Sequence, residues 1–205
     1  MSPAVAAVIA GVIRQLTGAT VRWVGDRPDP GPRVYFGNHT SHLDAVLVWA
    51  ALPVEIRRHA RPVAARDYWD RPHLARRLLI HLAKAVLIER DNADMAARER
   101  QTERMLAAMG ERGSLILFPE GTRGTGAEIT PFKSGLYHLA RRRPGLELVP
   151  VHLHDVHRLL PRGAVLPVPV SCAVTFGPRM TLGSDEGRDP FLARAREAVR
   201  LLAAG

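Results

Sequence analysis

The apolar rhythm of this chain changes several times along its length. Near the start, Val5, Val8, Ile9, Val12, Ile13 and Leu16 form one stripe at helical spacing. Ser2 suits the N-cap, Pro3 the first helical position and Gly18 the stop. A helix of about 15 residues rises only about 22 Å, short of the roughly 30 Å hydrocarbon core, so it does not span a bilayer. No Lys or Arg precedes its apolar part, which argues against a signal peptide. The stripe either packs on the domain or lies in a membrane interface.

From residue 20 the pattern alternates between strand and helix. "TVRWV" (20–24) and "RVYFG" (33–37) read as strands separated by the turn-rich "GDRPDPGP". A helix is expected from about His42 to Leu52, ending before Pro53. "PVAAR" (62–66) predicts a strand, residues 73–83 a helix, and "AVLIE" (85–89) another strand. "ADMAARERQTERMLAAMG" is a long amphipathic helix closed by Gly110. "SLILF" (114–118), a continuous apolar run between Gly113 and Pro119, fits a strand buried on both faces. A helix over 134–142, strands over 147–153 and 171–177, and a helix over 190–203 complete the alternation. The expected fold is therefore α/β. A single domain (19–205) has a central mixed or mostly parallel sheet flanked by helices, preceded by a short N-terminal amphipathic helix (1–18). In such sheets ligands gather beyond the carboxyl ends of strands, which directs attention to "NHTSHLD", "ERDN", "PEGTRG" and "HDVH".

Composition narrows this picture only in part. A chain of 205 residues, 46% hydrophobic and 24% charged, is long and apolar enough for one substantial core. The single cysteine, Cys172, excludes an intrachain disulfide and a Cys-rich zinc site. Its place in mid-strand suits a small buried hydrophobe better than a nucleophile. A net charge of +9 favours acidic partners: nucleic acid, anionic lipid, a phosphorylated substrate or an acidic carrier. Aromatic residues at 5% offer few stacking platforms, so nucleic acid is not an expected partner.

The chemistry concentrates in two segments. In "GNHTSHLD" (37–44), Ser41 and Asp44 have the spacing of a capping box, with Ser41 as the N-cap. Residues five apart on a continuous helix would lie about 140° apart and could not face each other. With His39 outside the helix, the chain can fold back and bring its imidazole to the Asp44 carboxylate. That contact would fix the tautomer and leave the other ring nitrogen as a general base. By itself the stretch reads as readily as a capped turn. The second segment, "FPEGTR" (118–123), directly follows the strongest buried-strand candidate.

Together these segments resemble the glycerolipid acyltransferases, the family of 1-acylglycerol-3-phosphate acyltransferases. That family joins an Asn-His-x4-Asp motif to a downstream Phe-Pro-Glu-Gly-Thr-Arg motif. Both are complete here, as Asn38, His39 and Asp44 and then Phe118 to Arg123. "AVLIER" is similar to a second family block at Arg90, with Leu87 where the family usually has phenylalanine. "PFKSG" (131–135), "LVPV" (148–151) and "FGP" (176–178) resemble further blocks, so the likeness covers roughly residues 20 to 182.

The resemblance implies transfer of a fatty acyl group from acyl-CoA or an acyl carrier protein to the hydroxyl of a lysophospholipid. The leading acceptor is 1-acylglycerol-3-phosphate, and a lyso-ornithine lipid or another head group stays open. His39 would be the base and Asp44 its orienter, with no covalent intermediate, no metal and no cofactor beyond the thioester co-substrate. Planar guanidinium groups at Arg90 and Arg123 suit the acceptor phosphate. Gly121 lets backbone N–H groups approach an anion, Thr122 adds a donor, and Lys133 offers another cationic contact. Glu120 is not a natural phosphate ligand; it would bond an acceptor hydroxyl or orient Arg123, and the family treats its position as part of acceptor binding. Such an enzyme would sit peripherally at the cytoplasmic face of the cell membrane, against an anionic surface.

Two other patterns carry less. "HLHDVH" (152–157) has metal-site residues in an order that does not match the His-x-His-x-Asp-His of two-metal hydrolases. A basic α/β module that binds anionic lipid without catalysis is the rival reading, and it predicts no dependence on His39.

Overall fold

The computed structural model describes residues 3–25, 28–41, 43–65, 84–89, 94–124, 126, 128–156 and 172–203. The helix expected over 73–83, and Arg90, His42 and His157, lie outside the described residues.

The elements run α1 (Pro3–Thr17), β1 (Thr20–Trp23), β2 (Arg33–Gly37), α2 (Asp44–Ala51), α3 (Val54–Arg57) and β3 (Ala60–Ala65). They continue with β4 (Val86–Ile88), α4 (Met95–Met109), β5 (Ser114–Leu117), α5 (Gly135–Arg142), β6 (Glu147–His154), β7 (Ala173–Phe176) and α6 (Arg188–Leu201). The strands form one sheet in the order β1-β7-β6-β2-β5-β3-β4. Pairing is parallel from β6 through β4, β7 is antiparallel to β6, and β1 is parallel to β7. The sheet is mixed and mostly parallel, as the alternation predicts.

Period-two alternation divides the core between the two faces. Tyr35, Ile116, Val149 and Val151 point to the face covered by α1 and α2. Val34, Phe36, Leu115, Leu117 and Leu148 point to the face covered by α4, α5 and α6. Strand β2 is buried at all five positions, which is why "VYF" shows no polar alternation. Each fully buried large apolar side chain of this set contributes about 1.5–3 kcal/mol of transfer free energy.

Several boundaries differ from the sequence reading by one or a few residues. Helix α2 starts at Asp44 rather than His42. Leu43 is its N-cap and makes no side-chain cap hydrogen bond. The Ser41 hydroxyl instead accepts from the Leu43 N–H at 3.3 Å, while the Asp44 carboxylate still reaches back to the Ser41 N–H at 2.8 Å. The short α3 after Pro53 is too brief for periodicity to reveal it. Strand β3 begins at Ala60, ahead of Pro62; β4 pairs only from Val63 onward, so Pro62 takes the ladder position before that second neighbour begins.

Helix α1 packs on the domain and divides the expected stripe in two. Ala6 and Ala10, with Ile9 and Ile13, join the core under α2, the small residues letting the two helices approach closely. Val5, Val8, Val12 and Leu16 stay 50–65% exposed on the outer face. Among the described residues no helix is long and apolar enough to cross a membrane.

Candidate active site

The sheet order brings the two sequence segments together. Strands β2 and β5 are adjacent and parallel, with Val34 opposite Leu115 and Phe36 opposite Leu117. The residues after β2 therefore emerge beside those after β5, at the carboxyl ends of both strands, although about 75 residues separate them in the chain.

Two residues prepare the exit from β2. A Cβ on Gly37 would lie 2.5 Å from the Val151 carbonyl oxygen, so only glycine permits β2 and β6 to close here. Asn38, 6% exposed, then continues the ladder with its side chain. Its Nδ2 donates to the Leu153 carbonyl at 3.1 Å, and its Oδ1 accepts from the Leu153 N–H at 2.8 Å. The backbone is thereby fixed one residue before His39.

His39 and Asp44 meet as the displaced-histidine argument requires. His39 Nδ1 lies 2.9 Å from Asp44 Oδ2. The same oxygen accepts the N–H groups of Thr40 at 2.6 Å and Ser41 at 2.8 Å. Asp44 is fully buried at the first turn of α2, where the exposed backbone N–H groups favour a negative charge. A carboxylate bonded to two backbone N–H groups holds its position without the histidine, and each such charge-assisted bond contributes about 1.5–3 kcal/mol. Its other oxygen, Oδ1, has no hydrogen-bond partner among the described residues. With Nδ1–H donating to the carboxylate, Nε2 carries the free lone pair. The His39 side chain is 22% exposed and stacks on Phe118, ring centroids 4.5 Å apart and planes 18° from parallel.

The "FPEGTRG" segment grips the His39 peptide on both sides. The His39 N–H donates to Glu120 Oε1 at 2.7 Å, and the His39 carbonyl accepts from the Gly124 N–H at 2.8 Å. The second Glu120 oxygen accepts from the Thr130 N–H at 2.9 Å and from its hydroxyl at 2.7 Å. Thr130 carries no signal in the sequence that would single it out, and neither does the Gly124 contact.

Gly121 turns the chain with φ +71°, a conformation that costs other residues strain. A Cβ there would fall 2.8 Å from Cδ, Cε and Nζ of Lys133, so the lysine side chain lies across this turn. The Lys133 N–H in turn donates to the Pro119 carbonyl at 2.8 Å. Thr122, Arg123 and Lys133 are exposed. The site thus offers an oriented imidazole beside a glycine turn with a cationic rim.

Strand β6 carries two further histidines, His152 and His154. His152 and His154 make a ring contact at 4.2 Å on β6, and His154 Nε2 lies 3.4 Å from the Leu202 carbonyl. Burial, reinforced by the neighbouring His154, pulls His152 down to about 4. Among the described residues no group of three or more His, Cys, Asp or Glu could hold a metal ion. Cys172 is buried, and burial raises its thiol above the ordinary range, which keeps it a thiol rather than a nucleophilic thiolate.

Comparison with known proteins finds relatives in sequence and in fold. A 1-acyl-sn-glycerol-3-phosphate acyltransferase of Limnanthes douglasii is 31% identical over 166 residues, covering 80% of this chain and 56% of that protein. A lyso-ornithine lipid O-acyltransferase of Brucella abortus is 28% identical over 143 residues, covering 68% of this chain and 50% of that protein. The chain therefore spans about half the length of these curated relatives. The crystal structure of the 1-acyl-sn-glycerophosphate acyltransferase PlsC from Thermotoga maritima superposes with a TM-score of 0.72. That likeness covers 98% of this chain and 78% of that one at 16% identity, which establishes a shared fold. A family profile described as Acyltransferase matches residues 20–154, from β1 through the end of β6 and across both sequence segments. The chain belongs to the Acyltransferase family.

Proposed function

We propose that this protein transfers a fatty acyl group from acyl-CoA or an acyl carrier protein to the free hydroxyl of 1-acylglycerol-3-phosphate, giving phosphatidate. The observation that carries the reading is the His39–Asp44 contact, in which Asp44 is independently fixed by the Thr40 and Ser41 N–H groups. His39 Nε2 takes the proton of the acceptor hydroxyl as its oxygen attacks the thioester carbonyl carbon. The tetrahedral intermediate then expels the thiolate, and the same imidazole returns the proton to sulfur. No enzyme nucleophile, metal or further cofactor enters this scheme. Arg123 and Lys133, with Arg90 and the Gly121–Thr122 turn, bind the acceptor phosphate.

A lyso-ornithine lipid is the second reading, favoured by the Brucella abortus relative. Its head group would leave the cationic rim without a phosphate partner, which places phosphate acceptors first. The outer face of α1, with Val5, Val8, Val12 and Leu16 exposed, supports contact with a membrane surface, and the net charge of +9 favours an anionic one, as at the cytoplasmic face.

Purified protein assayed with a panel of lysolipids and both thioester donors tests the reading. Lysophosphatidate should be the best acceptor; equal or faster acylation of a lyso-ornithine lipid would move the assignment to the second reading. Deletion of residues 1–18 should weaken binding to anionic vesicles, and unchanged binding would remove α1 from the membrane contact.

A further inference from the structure

Glu120 belongs to the segment that would bind the acceptor, yet its carboxylate faces inward. It is 4% exposed, against the exposed Thr122 and Arg123 that follow it. Both oxygens are engaged: Oε1 by the His39 N–H, Oε2 by the N–H and hydroxyl of Thr130. Among the described residues, three donors converge on this carboxylate, one from the His39 peptide and two from Thr130. The Thr130 segment is itself anchored, since Arg196 on α6 donates through Nε to the Ile129 carbonyl at 2.7 Å. The Lys133 N–H ties the same segment to Pro119.

From this geometry we infer that Glu120 is a positioning residue for the general base, stapling the His39 peptide to the Thr130 segment, and not a ligand of the acceptor. His39 sits in a loop between β2 and α2, where no ladder or helical hydrogen bond fixes its peptide N–H. Asp44 sets the ring through Nδ1, and Glu120 sets the backbone from which the ring projects. A general base displaced from its reacting proton loses rate rather than substrate affinity. Loss of Glu120 therefore lowers kcat and leaves the acceptor KM in place, whereas loss of a hydroxyl-binding ligand raises KM.

The inference rests on the proposed role of His39 as base, so the test needs one arm that does not require turnover. Glu120→Gln is nearly isosteric but has one acceptor and one donor group at its end. Whichever way the amide turns, its NH2 meets either the His39 N–H or the Thr130 N–H, and one donor loses its acceptor. In the free protein, the low-field imidazole Nδ1 proton of His39 reports its contact with Asp44 by NMR. Glu120→Gln should shift or broaden that resonance and lower kcat by about 100-fold, with the acceptor KM within about three-fold of wild type.

Thr130 supplies a milder perturbation from the far side of the carboxylate. Thr130→Val keeps the shape and removes the hydroxyl, and because Thr130 is exposed, water replaces part of that bond. It should lower kcat by about five-fold, while Thr130→Ser, which keeps the hydroxyl, should restore it to within about two-fold. An acceptor KM raised ten-fold or more in Glu120→Gln, with the His39 resonance unmoved, would overturn the inference in favour of direct acceptor binding. So would full activity of Thr130→Val together with impaired Thr130→Ser, a pattern that marks the methyl group as the part that matters. If the wild type acylates none of the lysolipids tested, the functional reading fails while the resonance still decides the positioning role.

Discussion

Substitution of Asn38 probes how the frame around His39 is held. Asn38→Ala removes both hydrogen bonds to Leu153 and strands a donor and an acceptor on a residue only 2% exposed. At about 1–3 kcal/mol for each unsatisfied buried group, allowing for partial relaxation, the loss should be about 2–4 kcal/mol. For a chain of this size that corresponds to a drop in Tm of about 4–16 °C. Asn38→Asp is sharper because it keeps the shape. One carboxylate oxygen can still accept from the Leu153 N–H, but the other faces the Leu153 carbonyl oxygen with no proton between them. Burial and that carbonyl both disfavour the charged form, so the new carboxyl has a folded pKa above its unfolded value of about 3.9. Between the two values the native state binds the extra proton, and stability falls as pH rises through the window. The gap between Asn38→Asp and wild type should therefore be widest near about pH 7 and should narrow towards about pH 4.5, where the protonated acid can donate to the carbonyl. Urea denaturation followed by circular dichroism at several pH values, with wild type alongside, measures this. The reasoning fails if Asn38→Ala lies within about 0.5 kcal/mol of wild type, or if the Asn38→Asp gap is constant across that window.

Three other perturbations separate fold from chemistry. Gly121→Ala must hold φ +71° with a Cβ, costing about 1–2 kcal/mol, and must push aside only the flexible end of Lys133. It should fold, with a modest fall in Tm, and raise the acceptor KM more than it lowers kcat in steady-state assays. Gly37→Ala meets the Val151 carbonyl at 2.5 Å instead, where only strand separation relieves the clash, so a loss above about 3 kcal/mol or insolubility is expected in expression and melting tests. His152, depressed to about 4, stays neutral in the fold while the unfolded chain takes up a proton below about pH 6.5. Wild-type stability should drop by up to about 2–3 kcal/mol as pH falls from about 6.5 to about 4, and His152→Gln should show a shallower drop in denaturant titrations; an unchanged slope would exclude this source.

The alternation of strand and helix was legible because long elements carry their period openly. "SLILF" and "RVYFG" read as buried strands since both faces of the sheet are covered, and they occupy the two central positions that bring His39 and Glu120 together. Short elements were not legible: α3 is one turn, and a capping pattern at Ser41 gave the start of α2 two residues early. That error has a chemical cause. Asp44 turns its carboxylate outward from the helix to His39, Thr40 and Ser41, and a residue pattern cannot distinguish a cap from a carboxylate that orients a ring. The α1 stripe was read as one face, but a helix on the rim of a domain can be apolar on two sides, Ala6 and Ala10 inward and Val8 and Leu16 outward. Least visible was the inward turn of Glu120, because its partner Thr130 belongs to no recurring pattern and the contact depends on tertiary geometry alone.

The central claim is that His39 removes the acceptor proton. Its direct test is kcat for acyl transfer by His39→Ala, in protein whose circular dichroism and melting curve match the wild type. Loss of a positioned general base should lower kcat on the order of 10²–10⁴-fold with the acceptor KM little changed. Near-normal turnover by that folded variant would contradict the account.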